Sequence, residues 1–252
     1  MQPEFVERLP PTVAALLTEL ESFAGSPIVV EADQTPASTI EPNPDRMGVL
    51  VRSSGATIVI RNGVFDPHGA LHELLHVRRY WMERIPQIIP RDSNAEQNWQ
   101  ITSQIENALE HLTIVPEEAE FGFEPFGHWN RTVDALYSLY PWPEIVDPWA
   151  RRKNALLSAL SVRYLVTDES VRERAKENLR QEGILKEAWE FARRVHGYKA
   201  DKRKMLALTL HTVGIALDQV ILMELDAPKK RAYRLGFSDA CWSDRRADRD
   251  AS

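Results

Sequence analysis

The sequence predicts an α+β protein whose first half mixes helices with a small sheet and whose second half is almost wholly helical. Three features lead there. Short β-branched runs separated by Gly, Ser and Pro fall between residues 28 and 61. Two long stretches with apolar residues three and four apart follow, between residues 67 and 115. Beyond Pro148 the helical period continues almost unbroken to residue 225.

Each element has its own signal. Val13, Leu16, Leu17 and Leu20 place a helix over residues 13–23, with Gly25 as its stop. Residues 28–31 read as a strand, and residues 34–45, with Pro36, Pro42 and Pro44, as a loop. Residues 48–52 and 56–61 are two apolar runs joined by Ser53-Ser54-Gly55, the pattern of a β-hairpin. Asp66 can then cap a helix that Pro67 opens, because proline suits the first helical position. This helix runs to Pro86. Residues 86–94 read as a connection with Ser93 or Asn94 as the next cap, and a second helix spans residues 95–115, ending at Pro116.

From residue 117 to 148 aromatic side chains crowd among Gly and Pro. Helices are then expected at 150–165, 168–195 and 202–225, and residues 244–252 form a polar tail with the composition of disorder. The division read from this is a core over 1–116, a connecting segment over 117–148, a helical region over 149–243 and the tail.

Composition narrows the class of function. A net charge of −6 and no long Lys/Arg run argue against a nucleic-acid partner. A single cysteine, Cys241, rules out an intramolecular disulfide and is read as structural, and residues 1–11 lack the apolar core of a signal peptide. The most apolar stretch, 205–225, is broken by His211, Asp218 and Glu224, so it reads as a buried helix rather than a membrane span. The expectation is a cytoplasmic protein with a protein or peptide partner and no membrane.

The chemistry concentrates at residues 72–76, His-Glu-Leu-Leu-His. Residues four apart lie on one helix face, so His72 and His76 can offer two imidazoles to one metal ion. Glu73 then lies beside the metal, where it can accept a proton from a zinc-bound water. A third ligand is sought on the next helix. Glu106 and Glu110 share a face there, and an antiparallel return of the chain puts Glu106 nearer the histidines than Glu110. One would bind zinc and the other orient a bound imidazole; His111 is a further candidate.

These residues resemble the gluzincin clan of zinc metallopeptidases, especially its small members, and more distantly the ImmA/IrrE-type metallopeptidases. The resemblance covers residues 12–115 and is specific at the HELLH segment. It implies a zincin-like core, His72 and His76 as zinc ligands, a glutamate ligand from the following helix, and Glu73 as general base. It also implies hydrolysis of peptide bonds in an intracellular protein, such as a regulatory protein encoded nearby. The competing reading is a zinc-containing regulatory or binding module that cleaves nothing and works through its helical half.

Other residues are weighed against simpler roles. His128, Tyr137 and Tyr140 could donate to a tetrahedral oxyanion or merely pack between the halves. His68 reads as a capping or surface residue, and His196 as a helix-end residue favoured by the dipole. His211 and Asp218, seven apart, read as a buried polar pair on one helix. The mixed charges between 171 and 194 are a solvated face or a docking surface.

Overall fold

The computed structural model describes residues 1–32, 47–60, 63–92, 96–142 and 145–237, so the proline-rich loop at 34–45, the cap at Ser93 or Asn94, Cys241 and the polar tail lie outside it. A short helix α1 (Pro3–Val6) precedes α2 (Pro11–Ala24), whose Val13, Leu16, Leu17 and Leu20 are buried. Gly25, at φ +58°, ends α2 by donating to the Glu21 carbonyl. That left-handed conformation costs glycine little.

Three strands follow: β1 (Ile28–Ala32), β2 (Gly48–Arg52) and β3 (Gly55–Ile60). They form a sheet in the order β1-β3-β2. β1 runs parallel to β3 and β2 antiparallel, with Arg52 facing Gly55 across a two-residue turn. Helix α3 (Pro67–Trp81) lies on this sheet, and its Leu71, Leu74 and Leu75 join Leu20, Ile28 and Ile58 in one core. The indole of Trp81 donates to the Arg52 carbonyl at 2.9 Å, tying the end of α3 to the hairpin.

The expected connection at 86–94 contains a strand, β4 (Gln87–Pro90). The next helix, α4 (Glu96–Glu118), does not stop at Pro116 but carries it inside the helix. A proline there forfeits a backbone hydrogen bond and costs about 3 kcal/mol. Ile114 and Val115 are fully buried and hold that turn in place. The chain leaves α4 through a 3-10 turn (Ala119–Phe121) closed by Gly122 at φ +87°.

The aromatic segment contains a helix, α5 (Phe126–Ser138). Helix α6 (Pro148–Tyr164) follows, capped by Asp147. The helix expected over 168–195 is two helices, α7 (Glu169–Gln181) and α8 (Leu185–Gly197), separated at Gly183, whose φ is +71°. His196 does occupy the last turn of α8, where it stacks on Tyr164 at 4.0 Å.

The helix expected over 202–225 is also corrected. Helix α9 (Lys202–Thr212) ends before Gly214, at φ +72°, and residues Val220–Asp226 form a strand, β5, followed by β6 (Arg231–Leu235). The run Val-Ile-Leu-Met is equally apolar on every face, and periodicity alone does not separate a buried strand from a buried helix. The partner decides: β4 pairs antiparallel with β5, Ile88 opposite Leu222, in a sheet ordered β4-β5-β6. His211 therefore sits in the last turn of α9 and Asp218 in a 3-10 turn, so they share no helix face.

The protein is thus α+β, but its second half is not wholly helical, and its strands pair with one from the first half. A second core joins α4–α9 through Ile105, Leu109, Leu156, Leu160 and Leu206. No described helix is long and apolar enough to cross a membrane.

Candidate metal centre

The site starts from the cap of α3. The Asp66 carboxylate accepts from the backbone N–H of Gly69 at 2.9 Å, with a longer contact to that of His68 at 3.4 Å. With the first turn fixed, positions 68, 72 and 76 fall on one face, four residues apart. His72 and His76 stand with ring centroids 5.1 Å apart.

The third imidazole comes from α4. His111 Nε2 lies 3.1 Å from His72 Nε2, and donor atoms of His72, His76 and His111 all lie within 4.8 Å of one another. Nitrogens about 2.0–2.1 Å from a tetrahedral zinc ion would be roughly 3.3 Å apart, so the close pair has the spacing of two ligands on one ion. His76 and His111 are buried and His72 half-buried, and of the three His72 is the one that lines the neighbouring cleft. Packing locks two of the rings: Trp129 tilts against His111 at 4.8 Å, and Tyr80 stacks on His76 at 6.1 Å.

His72 is oriented by a carboxylate. Glu118, at the end of α4, pairs through Oε1 with His72 Nδ1 at 2.5 Å and through Oε2 with His68 Nε2 at 2.6 Å. Holding Nδ1 in this way turns Nε2 toward the other imidazoles and raises its basicity as a ligand. Burial works against the charge on Glu118, yet the hydrogen bonds from His68 and His72 keep its carboxyl below the usual range. The same hydrogen bond raises His68 against the opposing effect of burial.

A cleft of about 360 Å³ opens beside the cluster, lined by His72, Glu73, Glu118, His128, Trp129 and Arg131 among others. Glu73 is buried and reaches this cleft from the residue after His72. His128 stands across it on α5, within 3.4 Å of the Thr132 hydroxyl.

The structure places the expected acidic ligands elsewhere. Glu106 accepts from the Tyr80 hydroxyl at 2.9 Å, from Lys202 Nζ at 3.1 Å and from the Ile88 N–H at 3.2 Å. Glu110 is fully buried and pairs with both Arg79 and Lys202. One residue further turns about 100° around a helix, so His111 faces the histidines while Glu110 faces the cations. Burial works against the charge on both carboxyls. At Glu110 the attraction of Lys202 and Arg79 outweighs it and holds the group below the usual range, whereas at Glu106 burial prevails and the carboxyl is raised.

Tyr137 and Tyr140 take the packing alternative weighed for them, whereas His68 gains a partner. Tyr137 lies in the helical core, 2.6 Å from the Ser158 hydroxyl, where burial pushes its phenol up to about 12; it is not part of the cleft. Tyr140 stacks on Tyr137 at 5.8 Å in the same core. His68, read as a cap or surface residue, instead reaches Glu118 and stacks on Phe123 at 4.7 Å. Glu118 and Trp129 were not singled out by the sequence. The seven residues between His111 and Glu118, two helical turns, put both on one face only because α4 runs past Pro116.

Comparison of the chain with known protein families, with curated proteins and with solved structures returns no match.

Proposed function

We propose that this chain is a zinc-dependent metallopeptidase that hydrolyses peptide bonds of a protein substrate. The observation that carries the reading is the His72–His76–His111 cluster with Glu73 next to His72, these last two lining one cleft. Three nitrogen donors and an open side are the donor set of a catalytic zinc site, whereas structural sites close all four positions with protein ligands. The third donor is an imidazole where the gluzincin resemblance implies a carboxylate, so the reading rests on the cluster and Glu73 rather than on that family's ligand set.

Zinc bound there would polarise a carbonyl group and lower the pKa of water toward about 7. The chain's residues supply the rest. His72, His76 and His111 would hold the ion, and Glu118 fixes the ring of His72. Glu73 accepts the proton of the attacking water as its oxygen bonds to the carbonyl carbon. It delivers that proton to the amide nitrogen when the carbon–nitrogen bond breaks. His128 faces the same cleft and donates to the carbonyl oxygen as negative charge develops on it.

The experiment is metal analysis and peptide-library digestion on wild type, Glu73→Gln and His111→Ala. Wild type should hold one zinc per chain and cleave. Glu73→Gln should keep the zinc and lose turnover by at least about 10²-fold, the contribution expected of a positioned base. His111→Ala should lose both. Cleavage undiminished in Glu73→Gln rules the mechanism out.

A further inference from the structure

Lys202 is a buried cation far along the chain from the histidines, at the first turn of α9. We infer that Lys202 is a positioning residue for the metal centre: it neutralises the buried Glu106–Glu110 pair and so sets the rotation of α4 that presents His111.

The geometry runs in short steps. Asp201 caps α9 by accepting from the Lys204 N–H at 3.1 Å, which fixes where Lys202 begins. Lys202 Nζ then bridges the two carboxylates, contacting Glu110 and lying 3.1 Å from Glu106. From the opposite side α3 grips the same pair. Arg79, three residues past His76, contacts Glu110, and the Tyr80 hydroxyl donates to Glu106 while its ring stacks on His76. Glu110 directly precedes His111. The two carboxylates are thus the hinge points between both ligand-bearing helices, and Lys202 is the cation they share.

Their charges balance only with Lys202 present. Arg79 serves Glu110 and, through its outer nitrogen, Glu83 at 3.0 Å, whereas Glu106 contacts no cation except Lys202 among the described residues. Without Lys202, two like charges one helical turn apart remain in a buried site, and their repulsion drives them apart. That separation moves the turn that carries His111. Removing the charge of Glu106 as well restores the balance, because Arg79 still serves Glu110, and the glutamine oxygen keeps the Tyr80 contact while giving up that of the Ile88 N–H.

The test uses full-length wild type, Lys202→Met and Lys202→Met/Glu106→Gln, titrated with Co(II) against a chelator well below the melting temperature of each apo protein. The visible Co(II) spectrum reports coordination geometry, which a loss of stability alone does not alter. Lys202→Met should bind Co(II) at least tenfold more weakly with an altered visible band. The double variant should recover affinity to within about threefold and regain the wild-type band. Wild-type affinity and spectrum in Lys202→Met would overturn the inference. So would tighter binding, which would mean the lysine acts only through its charge on the ion, or a double variant no better than the single one. If Lys202→Met does not fold, the double variant decides: recovery supports the role and weak binding overturns it. Failure of wild type to bind Co(II) would instead remove the metal site itself.

Discussion

Glu118 carries more of the histidine cluster than its position at a helix end suggests, because its two oxygens serve two imidazoles of α3 at once. Replacing it by alanine leaves the His72 ring without the partner that fixes its tautomer and aim. Loss of such a partner typically weakens metal binding 10–100-fold. Glu118→Ala should fall in that range in a zinc-competition titration, and an unchanged affinity would show that His72 is oriented by something else. At this scale the sequence was informative where spacing alone fixes geometry. His72, Glu73 and His76 are read directly from a four-residue period. His111, Glu106 and Glu110 lie within six residues on one helix, and spacing does not say which face meets α3. That was decided by Arg79 and Lys202, whose positive charges claim the carboxylates and leave the imidazole to the site.

At the scale of elements, α3 is held at both ends. Asp66 caps its first turn, and the Trp81 indole bonds to the hairpin at its last. Asp66→Ala should cost about 1 kcal/mol of stability, the usual loss for such a cap. Denaturant unfolding of the apo protein checks it, and a loss near zero would mean that Pro67 alone sets the start of the helix. The start of α3 was legible because a capping aspartate followed by proline has a local cause. The end of α4 was not. Pro116 is a reliable local stop signal, but burial of Ile114 and Val115 carries the helix past it, and this kept Glu118 out of view. Residues 220–226 failed for a different reason, since a uniformly apolar run takes its conformation from the strand it meets.

Across the whole molecule, the amino-terminal and carboxy-terminal parts interlock rather than follow one another. β4 pairs with β5 from more than a hundred residues later, and Lys202 reaches the carboxylates beside His111. Neither link has a local signature, so the division at residue 116 read from the sequence does not anticipate them. The histidine cluster and the carboxylates packed beside it are thus built from α3, α4 and α9 together. The proposed function requires three imidazoles on one ion, with no carboxylate of α4 among the ligands. Zinc K-edge X-ray absorption of the zinc-loaded wild-type protein measures this directly. Three imidazole ligands at about 2.0–2.1 Å with an oxygen donor completing the set are expected. Two imidazoles with a protein carboxylate, or a protein that takes up no zinc, would overturn the proposed zinc site.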